Sequence, residues 1–228
     1  MSSIFIGIDY SIKNSSFCCT DFTTFKWGSI VSDYKFTKNK TRLLEELDSL
    51  SDTSIKICEE TKPHFVTYSA EQRFKLDRYS KNITHFINLI KSNLNGKLPI
   101  VAIEGISFAS KGNILIDLSI STGILRYKVL TELLNNDSSR LFIFSPGEMK
   151  NAMTCKGNAD KFAIFNKFKV DPELDTVKKS ELYKFIIENE DRINNGKLIE
   201  SPINDLIDSY LGVLTLFKSI KNNIKNNG

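Results

Sequence analysis

The spacing of hydrophobic and polar positions changes along the chain, and each change predicts an element. Ile4 to Ile8 is an apolar run of strand length, and "SSFCCTDF" and "FKWGSIVSDYKF" follow as β-rich segments separated by polar turns. Three short strands in a row predict an antiparallel start. From Lys40 to Glu60 the chain sets Leu43, Leu44, Leu47 and Leu50 at helical spacing, and residues 71–94 do the same with Phe74, Ile83, Phe86, Leu89 and Ile90. "KLPIVAIEG" is then short, β-branched and continuously apolar, the pattern of a strand covered on both faces.

Asn113 to Leu134 reads as a long apolar-rich helix, with Ile114, Leu118, Ser121 and Leu125 along one side. "LFIFSP" predicts another buried strand, closed by Pro146. Asn158 is placed to cap a helix over "NADKFAIFNKF", and "KSELYKFIIEN" forms a separate helix after a polar connection. In the last element Ser201 and Pro202 supply a cap and a first-turn proline. Ile203, Leu206, Ile207, Tyr210, Leu214 and Phe217 form its apolar stripe. This succession predicts an α/β protein whose mixed sheet starts antiparallel, continues with parallel strands and is flanked by helices, an order similar to that of ribonuclease H-like domains.

Composition adds bounds. With 228 residues, 41% of them hydrophobic and 16 of them Phe, the chain is expected to fold as one domain over 1–228. No apolar stretch nears the roughly 20 residues that span a bilayer. The Met1-Ser2-Ser3 start has no basic, apolar leader, so an intracellular, non-membrane protein is expected. Cys18, Cys19, Cys58 and Cys155 show no CxxC spacing and read as free thiols, and His64 and His85 stand in no ligand pattern, which argues against zinc. A formal charge of +4 is compatible with a polyanionic partner without requiring one.

The acids sharpen the picture. Asp9 sits inside an apolar strand and Glu104 closes another. Asp205 and Asp208, three residues apart on a helix, project from one face. Buried carboxylates that cluster repel one another and call for a cation. Oxygen-only ligands select hard ions such as Mg²⁺ or Mn²⁺, and two such ions would serve phosphodiester hydrolysis. Each acid also has a plainer reading: a strand acid could lie at an edge or pair with an Arg, and the helix acids could simply complement the helix dipole.

"GIDYS" at Gly7–Ser11, "AIEGISFAS" at Ala102–Ser110, "KGNADK" at Lys156–Lys161 and "NDLIDSYLGVL" at Asn204–Leu214 together resemble the four successive motifs of RuvC-type Holliday-junction resolvases. The resemblance spans nearly the whole chain and implies a metal-dependent, structure-specific endonuclease, viral or bacterial, that resolves four-way junctions or related branched DNA in recombination and repair. It implies that Asp9, Glu104, Asp205 and Asp208 hold two Mg²⁺ or Mn²⁺ ions, and that Lys161 and Lys156 lie by the scissile phosphate. It also implies that Phe108, Lys111 and Asn113 approach the junction, with Phe108 stacking on an unpaired base. Lys150, Lys156, Lys161, Lys167 and Lys169 form the densest basic stretch, suited to phosphate contacts. The long helix after Glu104 is the expected homodimer interface, and no partner helicase is indicated. Tyr10-Ser11 stands where the family usually has Pro-Gly, and the segments at about 40–94 and 170–199 are longer than the family pattern, as helical insertions would be. "GIDYS" alone also resembles the first phosphate loop of actin-like ATPases, but no Gly-rich second or third motif follows. A non-cutting protein that binds branched DNA is the other alternative.

Overall fold

The computed structural model describes residues 2–61, 63–106, 112–154, 156–194 and 199–226. Strands β1 (Ser3–Asp9), β2 (Asn14–Thr20) and β3 (Phe25–Asp33) pair antiparallel in series, as three short strands joined by polar turns predict. β4 (Thr53–Glu59) runs parallel to β3, β5 (Leu98–Glu104) parallel to β1, and β6 (Leu141–Phe144) parallel to β5. The result is one six-stranded mixed sheet in the order β4-β3-β2-β1-β5-β6, the α/β architecture expected.

β4 is the strand that the sequence pattern hid. Helix α1 (Lys38–Asp48) buries Leu43, Leu44 and Leu47 and stops before Leu50, and the chain then takes a period of two, with Thr53 and Ile55 buried and Ser54 and Lys56 half-exposed between and after them. The leucine spacing dominates that window and masks the alternation behind it. β6 also departs from expectation. Among the described residues it is an edge strand, paired only with β5, and Ile143 is 48% exposed.

Alternation along the strands sends side chains to two layers. Ile4, Ile6, Ile8, Val101 and Ile103 pack with α2 (Tyr68–Lys91) and α3 (Gly112–Lys128), which runs on through a π-helical turn over Val129–Leu133. On the opposite face Cys18, Trp27 and Val31 pack with α1, α4 (Pro146–Thr154), α5 (Lys161–Val170), α6 (Glu181–Glu188) and α8 (Ile203–Asn226). The short α7 (Glu190–Ile193) buries Ile193 in that layer. α5 is capped by Asp160, whose carboxylate accepts from the Ala163 amide at 2.8 Å. The expected cap, Asn158, falls two residues early, in the turn closed by Ala159 N–H on the Lys156 carbonyl.

Asp52, buried at the β3–β4 corner, accepts from the Glu181 amide at 2.6 Å and the Leu182 amide at 3.2 Å, docking the start of α6 onto the sheet. Cys18, Cys19 and Cys58 are free thiols, while Cys155 lies outside the described residues. Among the described residues no helix is long and apolar enough to cross a membrane.

Candidate active site

The parallel register of β1 and β5 pairs Ile8 with Ile103, so the next residues, Asp9 and Glu104, end the two strands side by side. Because neighbouring side chains alternate, the isoleucines enter the α2–α3 layer while Gly7 and Asp9, with Ala102 and Glu104, face α8. Helix α8 crosses β1 in direct backbone contact. A Cβ on Gly7 would lie 2.1 Å from the Ser209 carbonyl oxygen, and one on Gly212 would lie 2.9 Å from the Gly7 Cα. Asp208 is one turn of α8 before Gly212, and Asp205 nearly one turn earlier still, so the crossing that the glycines permit delivers both acids to the end of β1.

Asp205 is held by Ser201, whose hydroxyl donates to Oδ2 at 2.6 Å. Lys161, the first residue of α5, brings its Nζ to 3.5 Å from Asp208 Oδ2. The four carboxylates feel one another strongly. Burial, reinforced by Asp208, Asp205 and Glu104, raises the Asp9 carboxyl well above its usual range, with Lys161 opposing. Burial likewise raises Glu104, against a hydrogen bond with Asp9 and the charges of Lys150 and Lys161. It raises Asp205 against Ser201, Lys161 and Lys40. Asp208 is pushed up to about 6 by burial, with Glu104 and Asp205 adding and Lys161 subtracting. For Lys161 burial works against the charge, but Asp208, Asp205 and Asp9 outweigh it and raise its pKa.

Such a group favours a bound cation, because a cation removes the repulsion that the folded chain has built in. The donor set is all oxygen and suits a hard divalent ion. Among the described residues, no three acidic, His or Cys side chains are gathered closely enough to cage an ion as they stand. The Ser201–Asp205 and Lys161–Asp208 contacts take up oxygens that an ion would engage.

Of the residues singled out from sequence, Asp9, Glu104, Asp205, Asp208 and Lys161 come together, and Lys150 on α4 lies near enough to act on Glu104. Lys156 is exposed in the turn between α4 and α5, and Asn113 is exposed in the first turn of α3. Phe108 and Lys111 lie outside the described residues. The end of β5 opens on a cleft of about 710 Å³ lined by Gly105, Ile106, Leu115, Arg126 and Phe144. Lys167 and Lys169 are engaged with Asp171 and Glu190, so much of the basic stretch is paired locally. Sequence reasoning missed Lys40, which acts on Asp205 from α1, far away along the chain. It read Ser201 as a helix cap, and the donor role toward Asp205 emerges only in three dimensions.

No protein-family model matches the chain, and no curated protein matches it. Among solved structures, the chain is similar to RuvC of Thermus thermophilus at 12% identity and a TM-score of 0.47, with 96% of each chain covered. It is similar to the same protein in complex with a Holliday junction substrate at 10% identity and a TM-score of 0.46, again over 96% of each chain. It is also similar to the yeast mitochondrial Holliday junction resolvase at 12% identity and a TM-score of 0.39, covering 100% of this chain and 85% of that one.

Proposed function

We propose that the chain is a metal-dependent, structure-specific DNA endonuclease that cuts four-way junctions or related branched DNA. The observation that carries this reading is the convergence of Asp9, Glu104, Asp205 and Asp208 from three separate elements, with Lys161 over the group. Acids at a strand edge or in an ordinary helix first turn would not be buried against one another.

In this reading the four carboxylates would hold two Mg²⁺ or Mn²⁺ ions, whose chemistry would be to lower the pKa of water and to offset charge on the leaving oxygen of a phosphodiester. The chain's own residues position the substrate. Lys161 holds the scissile phosphate and offsets charge that develops on it, and Ser201 fixes the rotamer of Asp205. Lys150 and Lys156 contact flanking phosphates without regard to sequence. Phe108, Lys111 and Asn113, in and beside the segment after Glu104, meet the branch point. Two-fold pairing through α3 would present two such sites to the two symmetry-related strands of a junction.

The test is a labelled four-way junction incubated with the purified protein, with and without Mg²⁺, beside a linear duplex of the same sequence. The expected result is Mg²⁺-dependent incision of the junction and little of the duplex. Tight junction binding with no incision at any divalent ion would replace this reading with the non-cutting one.

A further inference from the structure

Two strands away from Asp9, on the side opposite Lys150, lies a cleft of about 280 Å³ whose lining sets Lys13, Lys35, Lys40, Asp33 and Glu200 beside Val31 and Phe36. Its place follows from the sheet register. Asp9 pairs with Ser16 of β2, and Asn14, two residues before Ser16, pairs with Val31 of β3, so the cleft opens at the same end of the sheet as the acids. Two strand spacings place it roughly 10 Å from Asp9.

The charges in the cleft are unequally committed. Lys13 leans on Asp33 at 3.5 Å. The Lys40 ammonium is half-buried and has no ion-pair partner among the described residues, and only the more distant charges of Glu200, Asp205 and Asp33 balance it. Burial lowers its pKa, as expected for a cation held out of water before its partner arrives. Lys35 is exposed at the mouth. A half-buried cation with no ion-pair partner among the described residues, in an open cleft beside the proposed phosphodiester-cutting site, calls for an anion, and the anion next to a scissile phosphate is another phosphate of the same strand.

We infer that Lys40 and Lys35 form a second phosphate-binding track, contributed by the β3–α1 connection, which grips the DNA strand on the far side of the carboxylates from Lys150 and Lys161. This inference rests on the nuclease reading above. It assigns to the start of α1, at the head of the segment that is longer than the resolvase pattern, a task in substrate placement. The cut strand would be held on both sides of the acids, and Lys40, which also faces Asp205, would link strand position to the site.

The experiment is junction binding across a range of salt concentrations in a Glu104→Gln background, which keeps the DNA whole, with wild-type cleavage measured in parallel. Lys40→Ala should weaken binding about three- to tenfold and reduce the slope of log affinity against log salt by about one, the signature of a lost phosphate contact. Lys40→Arg should keep both, and Lys91→Ala, at the opposite end of the sheet, should change neither. Lys35→Ala, at an exposed position, repeats the test without risk to folding. Parental affinity and slope in both Lys40→Ala and Lys35→Ala, with wild-type protein cutting normally, would overturn the cleft assignment alone. Wild-type protein that neither binds nor cuts the junction would overturn the nuclease reading and the track with it.

Discussion

At the scale of single residues, the site combines acids that would rather be neutral with one lysine that would rather be charged. Lys161 should therefore affect the reaction more than the binding: Lys161→Ala is expected to slow junction cleavage by roughly 100-fold while affinity changes little, because its charge is matched to a transition state more than to a ground state. Single-turnover rates beside binding isotherms check this, and equal losses in both would make Lys161 an ordinary phosphate contact. Asp208 carries a pH signature. Its folded pKa, about 6, lies above the ordinary 3.8, so its contribution to stability is fully present below the unfolded value and is lost as pH rises through about 6. Asp208→Asn cannot ionise, so without divalent ions the variant should gain on wild type between pH 4 and pH 7, by at most about 3 kcal/mol. Millimolar Mn²⁺ at pH 7 should reverse the order by stabilising wild type alone. Parallel melting curves across that range, with no Mn²⁺ effect, would contradict the account of the cluster.

At the scale of elements, much was legible in the sequence wherever a single periodicity ran undisturbed. β1, β5, α2 and α8 follow their patterns, and the acids could be placed because each sits at a recognisable break in one of them. What stayed hidden depended on neighbours distant in sequence. β4 is a strand because β3 offers it an edge, β6 is half-exposed because none of the described residues pairs beyond it, and Lys40 reaches Asp205 only after α1 and α8 pack on the same face. The α8–β1 crossing is the element contact on which the site depends most. Gly7→Ala would drive a methyl into the Ser209 carbonyl and should cost about 1–3 kcal/mol by overpacking. Chemical denaturation measures that loss. The remaining folded protein should be far less active than its folded fraction, because lifting α8 moves Asp205 and Asp208 from Asp9. A variant with activity in proportion to its folded fraction would show that the crossing does not position the acids.

For the whole molecule, a face of α3 that the described residues leave exposed bears on assembly. The expected interface residue Leu125 is fully buried in the α2–α3 layer and Leu118 is half-buried, whereas Ile116, Ile120 and Tyr127 are 57%, 40% and 68% exposed on another side of the helix. The physical reason is that a helix apolar on most of its surface gives one stripe to the core and leaves another uncovered. If the chain works as a two-fold dimer through α3, Ile120→Glu with Tyr127→Glu should leave the fold intact, shift the mass toward the 25.9 kDa monomer and abolish paired incision while sparing single nicks. Light scattering with and without junction DNA reads the first outcome, and wild-type protein that stays monomeric in both conditions would remove the dimer from the account.

The most direct test of the central claim places wild-type protein and Asp9→Asn side by side on one labelled four-way junction in Mg²⁺, at protein concentrations giving equal DNA occupancy. Asp9 is buried at the centre of the four carboxylates, and its amide keeps the shape while removing the charge that a metal requires. The account predicts incision by wild type and a loss on the order of 100-fold or more in the variant, with binding retained. Equal cutting by the two proteins, or no cutting by wild type under any divalent ion, would contradict it.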